Sequence, residues 1–188
     1  MAKIWRDVTA VMFLFSAFFC GCAYTRSESP DILVDNQQIV TTVSTELSRS
    51  DCDTLVISCI DYRYALANQE FINNTLGLRD NYDHVSIPGS ILNLVNQETQ
   101  ALVFSKFALS VRLHNIKRVI IIAHIDCGGY GGSASFGSEL AEHETLCNDL
   151  REARKFFLEQ YPTLEVNLFL ESLSQDGEQI KVNFEKIP

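Results

Sequence analysis

Positive charge is scarce in this sequence: 15 Lys and Arg stand against 24 Asp and Glu, a formal net charge of −9 over 188 residues. No basic stripe is present to meet phosphates, which excludes nucleic acid as a partner, and the acidity itself reads as solubility. A long apolar run is also missing. The longest, Val8 to Phe19, is too short for a comfortable membrane span. Glycines cluster after Cys127, but with neither G-x-G-x-x-G nor Walker spacing and no following lysine, so a phosphate cradle is excluded as well. No C-x-x-C pair occurs, which argues against a thiol redox protein, and no internal repeat or low-complexity stretch is visible. What is there is ordinary for a globular chain: 46% hydrophobic and 21% charged residues, enough for one domain with a real core.

The first 22 residues read as a signal peptide. Lys3 and Arg6 precede the apolar run, and small residues follow at Gly21 and Ala23. Phe19-Cys20-Gly21-Cys22 resembles the lipobox of bacterial lipoproteins, in which the last cysteine is acylated and becomes the mature N-terminus. That makes Cys22 the expected lipidation site and implies an exported, periplasmic protein tethered to a membrane. Plain cleavage near Ala23 and an uncleaved anchor are the other two readings. Residues 23–50 are expected to be a polar tether followed by an amphipathic helix over Asn36 to Ser48, with Ile39, Val40, Val43 and Leu47 at helical spacing.

The domain proper is placed at 51–188. Its centre is Arg118 to Gly132, RVIIIAHIDCGGYGG. Val119 to Ala123 is an apolar, mostly β-branched run that predicts a strand buried on both faces. His124 and Cys127 follow it directly. An imidazole and a thiol at the carboxyl end of a buried strand occupy the position where an open α/β sheet holds a ligand. Two donors do not complete a zinc shell. A third stands at the end of another short apolar strand, Thr54 to Ser58, where Cys59 is followed by Asp61 and Arg63.

The two motifs, Cys59-Ile60-Asp61-Tyr62-Arg63 and His124-Ile125-Asp126-Cys127-Gly128, in that order and each after a strand, resemble the β-class carbonic anhydrases over roughly residues 52–188. The resemblance implies one Zn²⁺ per chain held by Cys59, His124 and Cys127, and reversible hydration of CO₂ to bicarbonate by a metal-bound hydroxide. It further implies a homodimer or higher oligomer, with the N-terminal helix lying over the partner subunit; packing on its own domain is the alternative. Asp61 and Arg63 would be the catalytic pair. Arg63 suits a bidentate hold on the carboxylate, and Asp61 would be a conditional fourth ligand when released. Two thiolates largely cancel the charge of the ion, so water should be acidified less than by three histidines. Three local departures from the family pattern stand out. Ser86-Ile87-Pro88-Gly89-Ser90 replaces an R-N-A-G-N loop, Ala123 replaces a glycine, and Tyr130 to Phe136 forms an enlarged loop. A non-catalytic zinc-binding or partner-binding domain on the same fold, and a CS₂ or COS hydrolase, are the competing functions.

The remaining pattern predicts an α/β fold with a mainly parallel central sheet flanked by helices and a C-terminal hairpin edge. Helices are expected over Tyr64 to Leu76, Leu94 to Leu113 (Ala101, Phe104, Ala108 and Val111 inward) and Ser138 to Gln160 (Leu140, Cys147, Leu150, Ala153 and Phe157 inward). Further strands are expected over His84 to Ile87, Glu165 to Leu170 and Ile180 to Phe184, the last two joined around Asp176-Gly177. Cys52 and Cys147 either pair or stand as separate buried thiols. His84 and His114 read as surface or loop-edge residues, and His143 and Cys147 as core or flank, four apart on one helix.

Overall fold

A computed structural model of the chain describes residues 52–188; the export segment, the tether and the expected Asn36–Ser48 helix lie outside the described residues. Strand β1 (Thr54–Ser58) leads into helix α1 (Tyr62–Glu70), which ends in a π-helical turn at Phe71–Thr75. Strand β2 (Tyr82–Ser86) precedes a short helix α2 (Leu92–Val95) and a long one, α3 (Gln97–His114). Then come β3 (Arg118–His124), α4 (Glu139–Gln160), β4 (Glu165–Asp176) and β5 (Gln179–Ile187).

One sheet carries all of these strands in the order β2-β1-β3-β4-β5. The first three pairings are parallel and only β4–β5 is antiparallel, as the alternation of strands and helices predicts. The chain steps from β1 to one side for β2, then returns to the other side for β3. That reversal opens a crevice beyond the carboxyl ends of β1 and β3.

β1 and β3 are buried because both faces of the sheet are covered, and the pleat divides their side chains between two cores. Leu55, Ile57, Val119, Ile121 and Ala123 pack with Phe107, Leu150 and Phe157 beneath α3 and α4. Val56, Ile120 and Ile122 face the other way, toward Ile72, Leu78 and Phe169. On that side the Phe71 and Phe184 rings stack at 3.9 Å. The β4–β5 hairpin runs beyond the sequence expectation. Its pairing is continuous to Asp176↔Gln179, and Gly177, at φ 61°, supplies the first central position of a two-residue turn.

Two packing expectations are corrected. The predicted Leu94–Leu113 helix is two helices parted at Asn96, whose extended backbone breaks the run and whose side chain caps α3 by accepting the Glu98 N–H at 2.9 Å. The fully buried residues of α3 are Val103 and Phe107; of the expected set, Phe104 and Val111 pack partly buried against the same core, while Ala101 is exposed. α3 also carries exposed Leu102, Leu109 and Leu113, so spacing alone offers several stripes. The rings of Phe157 and Tyr161, 4.9 and 5.0 Å from Phe107, select one. On α4, Leu140 stands in solvent, and Leu146 is buried in its stead with Cys147, Leu150, Ala153 and Phe157. Leu140 lies in the first turn of α4. Cys52 and Cys147 are both free thiols.

Candidate metal centre

β1 ends at Ser58 and β3 at His124, neighbours in the sheet. The crevice therefore receives Cys59 from one strand and His124 and Cys127 from the other. The Cys59 and Cys127 sulfurs and one His124 ring nitrogen all lie within 4.8 Å of one another. His124 and Cys127 are buried, and Cys59 is half-buried.

The imidazole is oriented before any ion arrives. Its Nδ1 lies 2.8 Å from the Ile125 carbonyl, to which it donates, so Nε2 is the bare acceptor. That Nε2 is buried and has no hydrogen-bond partner. An orphaned buried acceptor facing two sulfurs is what a soft divalent ion satisfies, and the Cys/His/Cys donor set fits such an ion. The Tyr64 ring, 4.5 Å from the imidazole, and its hydroxyl, donating to the Ile125 carbonyl at 3.2 Å, hold the same peptide from behind.

The two thiols ionise stepwise. A hydrogen bond from Cys127 pulls Cys59 well below the ordinary thiol range, while the same contact and burial push Cys127 up. The Gly89 N–H also points at the Cys59 sulfur, at 3.4 Å. For His124, burial works downward, but the nearby Cys59 sulfur, the hydrogen bond to the Ile125 carbonyl and the Asp61 carboxylate outweigh it and leave the imidazole raised.

Asp61 and Arg63 form the bidentate pair that their spacing predicts. Arg63 Nη2 donates to Asp61 Oδ2 at 2.7 Å and Nε to Oδ1 at 3.0 Å. The Arg63 backbone N–H also donates to Oδ1, capping α1. These hydrogen bonds hold Asp61 below the usual carboxylate range. Its Oδ2 stays 3.9 Å from His124 Nε2, within the site but directed at the guanidinium.

Several participants escaped the sequence reading. Arg63 also donates to Asp126, Nη1 to Oδ2 at 2.7 Å and Nη2 to the carbonyl at 2.8 Å, and so ties the two motifs together. Asp126 sits at φ 59°, and its N–H donates to buried Glu142 at 2.7 Å. Its place inside the H-x-x-C motif was the available signal. Glu171 lies in register with His124 on β4, fully buried, with one oxygen accepting from Asn68 at 3.3 Å and the other without a partner. Burial pushes its carboxyl up to about 8. An acidic residue closing the apolar run Leu168-Phe169-Leu170 was its mark. Gly89 and Gly129 touch backbone to backbone: a Cβ on Gly129 would lie 2.7 Å from the Gly89 Cα. Gly129 thus serves close packing beside the donors, and the glycine of the altered 86–90 loop is the other half of that contact. A cavity of about 210 Å³ opens beside Cys59, bordered by Ser58, Asn68, Tyr82, His84 and Ser86. His84 is exposed on edge strand β2 and meets the Ser58 hydroxyl at 2.8 Å. His143 and Cys147, 3.7 Å apart on α4, gather no third donor into a cluster among the described residues.

Residues 49–179 match a family model described as "putative carbonic anhydrase". An uncharacterized protein of Rickettsia conorii is 31% identical over 158 residues, covering 80% of this chain and 84% of its own length. One of Rickettsia bellii is 32% identical over 157 residues, covering 79% of this chain and 95% of its own. Among solved structures, the β-carbonic anhydrase isoform I of Trichomonas vaginalis is 12% identical, with a TM-score of 0.46 over 74% of this chain and 87% of that one.

Proposed function

This chain belongs to the family described as putative carbonic anhydrases, and from that premise we propose that it interconverts CO₂ and bicarbonate at a zinc ion held by Cys59, His124 and Cys127. The observation that carries the reading is the convergence of these donors within 4.8 Å, with His124 Nε2 buried and unpartnered. Zinc bound there would acidify a water and so supply a nucleophile for CO₂, at more alkaline pH than a three-histidine shell would. The chain's own residues do the rest. Arg63 keeps Asp61 ionised and turned away from the donors, so the carboxylate remains an acceptor that can orient a proton at Oδ2 without closing the site. Asp126 anchors the far side of the guanidinium, which fixes that orientation. The cavity beside Cys59 is large enough for a small linear substrate.

The same reading includes a homodimer, export through residues 1–22 and acylation at Cys22. Support for a dimer comes from Ile60, Tyr62 and Leu66, large side chains 57%, 87% and 74% exposed beside the site. Export and acylation rest on the sequence pattern alone. An intact mass showing an unmodified N-terminus downstream of Cys22 would remove the acylation.

The decisive experiment is metal analysis with stopped-flow CO₂ hydration on the full chain and two variants. We expect Cys127→Ser to lose about one zinc per chain, a wild-type rate above buffer, and a fall of about tenfold or more in Asp61→Asn with zinc retained. Zinc retained with no rate at neutral or alkaline pH would instead make this a zinc-binding domain without the activity.

A further inference from the structure

At the opposite end of the sheet a second set of donors comes together. Cys52 precedes β1, Asp83 lies on β2, and His114 is the last residue of α3. One donor atom from each lies within 4.8 Å of the other two. His114 Nδ1 and Asp83 Oδ2 are 2.8 Å apart, and the Cys52 thiol donates to the Thr54 carbonyl at 3.2 Å. We propose that Cys52, Asp83 and His114 form a second, peripheral site for a divalent cation of the zinc or cobalt class. It is independent of the reading above, since it shares no residue with that centre.

The backbone holds these donors in place. Leu55 of β1 is in register with Asp83 of β2. The Lys117 and Arg118 N–H groups donate to the Asp53 carbonyl at 2.8 and 3.0 Å, which ties the link between α3 and β3 to the segment carrying Cys52. Asn115, left-handed at φ 58°, ends α3 directly after His114 and so fixes where the imidazole leaves the helix. Three separate elements thus meet in a pre-formed arrangement, with little ordering left for an ion to impose.

Thiolate, imidazole and carboxylate together are a mixed set that borderline-soft ions accept and that magnesium or calcium does not favour. The His114 and Asp83 side chains are 39% and 27% exposed, so water can complete the shell and an ion can enter. The His114–Asp83 contact is one proton wide. An ion in that proton's place needs the pair to open to roughly 3.3 Å, a small rotation for half-exposed side chains. A plain His–Asp pair accounts for two of the three residues; Cys52 packs at the core's edge with its thiol on the Thr54 carbonyl, and neither contact calls for its sulfur beside the pair. A nucleophilic thiol is disfavoured: burial, with Asp83 and Asp53 adding to it, pushes Cys52 up. The same negative field draws a cation, and binding must displace the thiol proton, so affinity should climb with pH.

The test is equilibrium dialysis of the full chain, reduced and stripped by chelation, against Co²⁺ at about pH 8. The expected count is about two ions per chain, falling to about one in His114→Gln and also in His124→Ala, and to none in the double variant. Cys52→Ser should weaken the second ion at least about tenfold, and lowering the pH by about one unit should weaken it in the wild type. If the centre at Cys59 binds nothing, the wild type still binds about one ion, and His114→Gln removes it. The proposal is overturned if His114→Gln and Cys52→Ser both leave the count and the affinity unchanged, or if His124→Ala, folded by circular dichroism, binds no ion. A wild type that binds a single ion, insensitive to His114→Gln, overturns it too.

Discussion

Adjacent glycines after Cys127 should respond in opposite ways to the same added methyl group. A Cβ on Gly129 would lie 2.7 Å from the Gly89 Cα and 3.1 Å from its nitrogen, whereas one on Gly128 meets nothing within 4 Å. Neither residue has a positive φ, so steric overlap is the whole difference. Ordinary contact needs roughly 1 Å more separation at Gly129. Both sides of the clash are backbone, and Gly89 is itself at φ 80°, so neither yields cheaply. Overpacking of this kind costs about 1–3 kcal/mol. Gly128→Ala should be neutral or gain a few tenths of a kcal/mol from a stiffer unfolded chain. The two variants should therefore differ by roughly 1–3 kcal/mol, or about 3–12 °C in Tm for a domain of this size. Displacing Gly89 also moves the N–H that faces the Cys59 sulfur. Gly129→Ala should thus hold zinc more weakly, while Gly128→Ala holds it as the wild type does. Thermal melts with zinc analysis check both. Equal melting temperatures and equal zinc retention would refute the reasoning.

Glu171 predicts a pH dependence of stability. Its carboxyl is raised by burial to about 8 from 4.5, so its contribution is complete below about pH 4.5 and is lost as pH climbs through 8, where the unfolded chain ionises freely and the folded one resists. Glu171→Gln should flatten that fall, by up to a few kcal/mol across the window; denaturant titrations at several pH values in which wild type and variant keep the same slope would count against it. At the start of α4, the Ser138 hydroxyl accepts the Ala141 N–H at 3.1 Å. Ser138→Ala should cost about 1 kcal/mol in chemical denaturation with zinc content unchanged, and a loss of zinc would mean that the cap also positions the glycine loop.

Local pattern carried a large share of this protein. The apolar runs at Thr54 to Ser58 and Val119 to Ala123 became the two strands whose ends frame the crevice, because a strand buried on both faces is built mostly of apolar side chains. Ligand spacing was legible for the same reason: residues just past a strand end have few places to go. The pair Asp61–Arg63 sits two residues apart and closes on itself, so sequence distance sufficed. Helix faces were less legible. α3 is apolar around much of its circumference, and only the rings of Phe157 and Tyr161 decide that Phe107 goes inward.

What the sequence by itself determined, then, are elements and donors whose identity depends on neighbours a few residues away. The tertiary structure alone decided the long-range meetings: Arg63 with Asp126, Gly89 with Gly129, Glu171 beside His124, and Cys52 with Asp83 and His114. Each of these joins segments at least 30 residues apart. Their encounter depends on strand order, register and the direction of each crossover, and no local spacing encodes those.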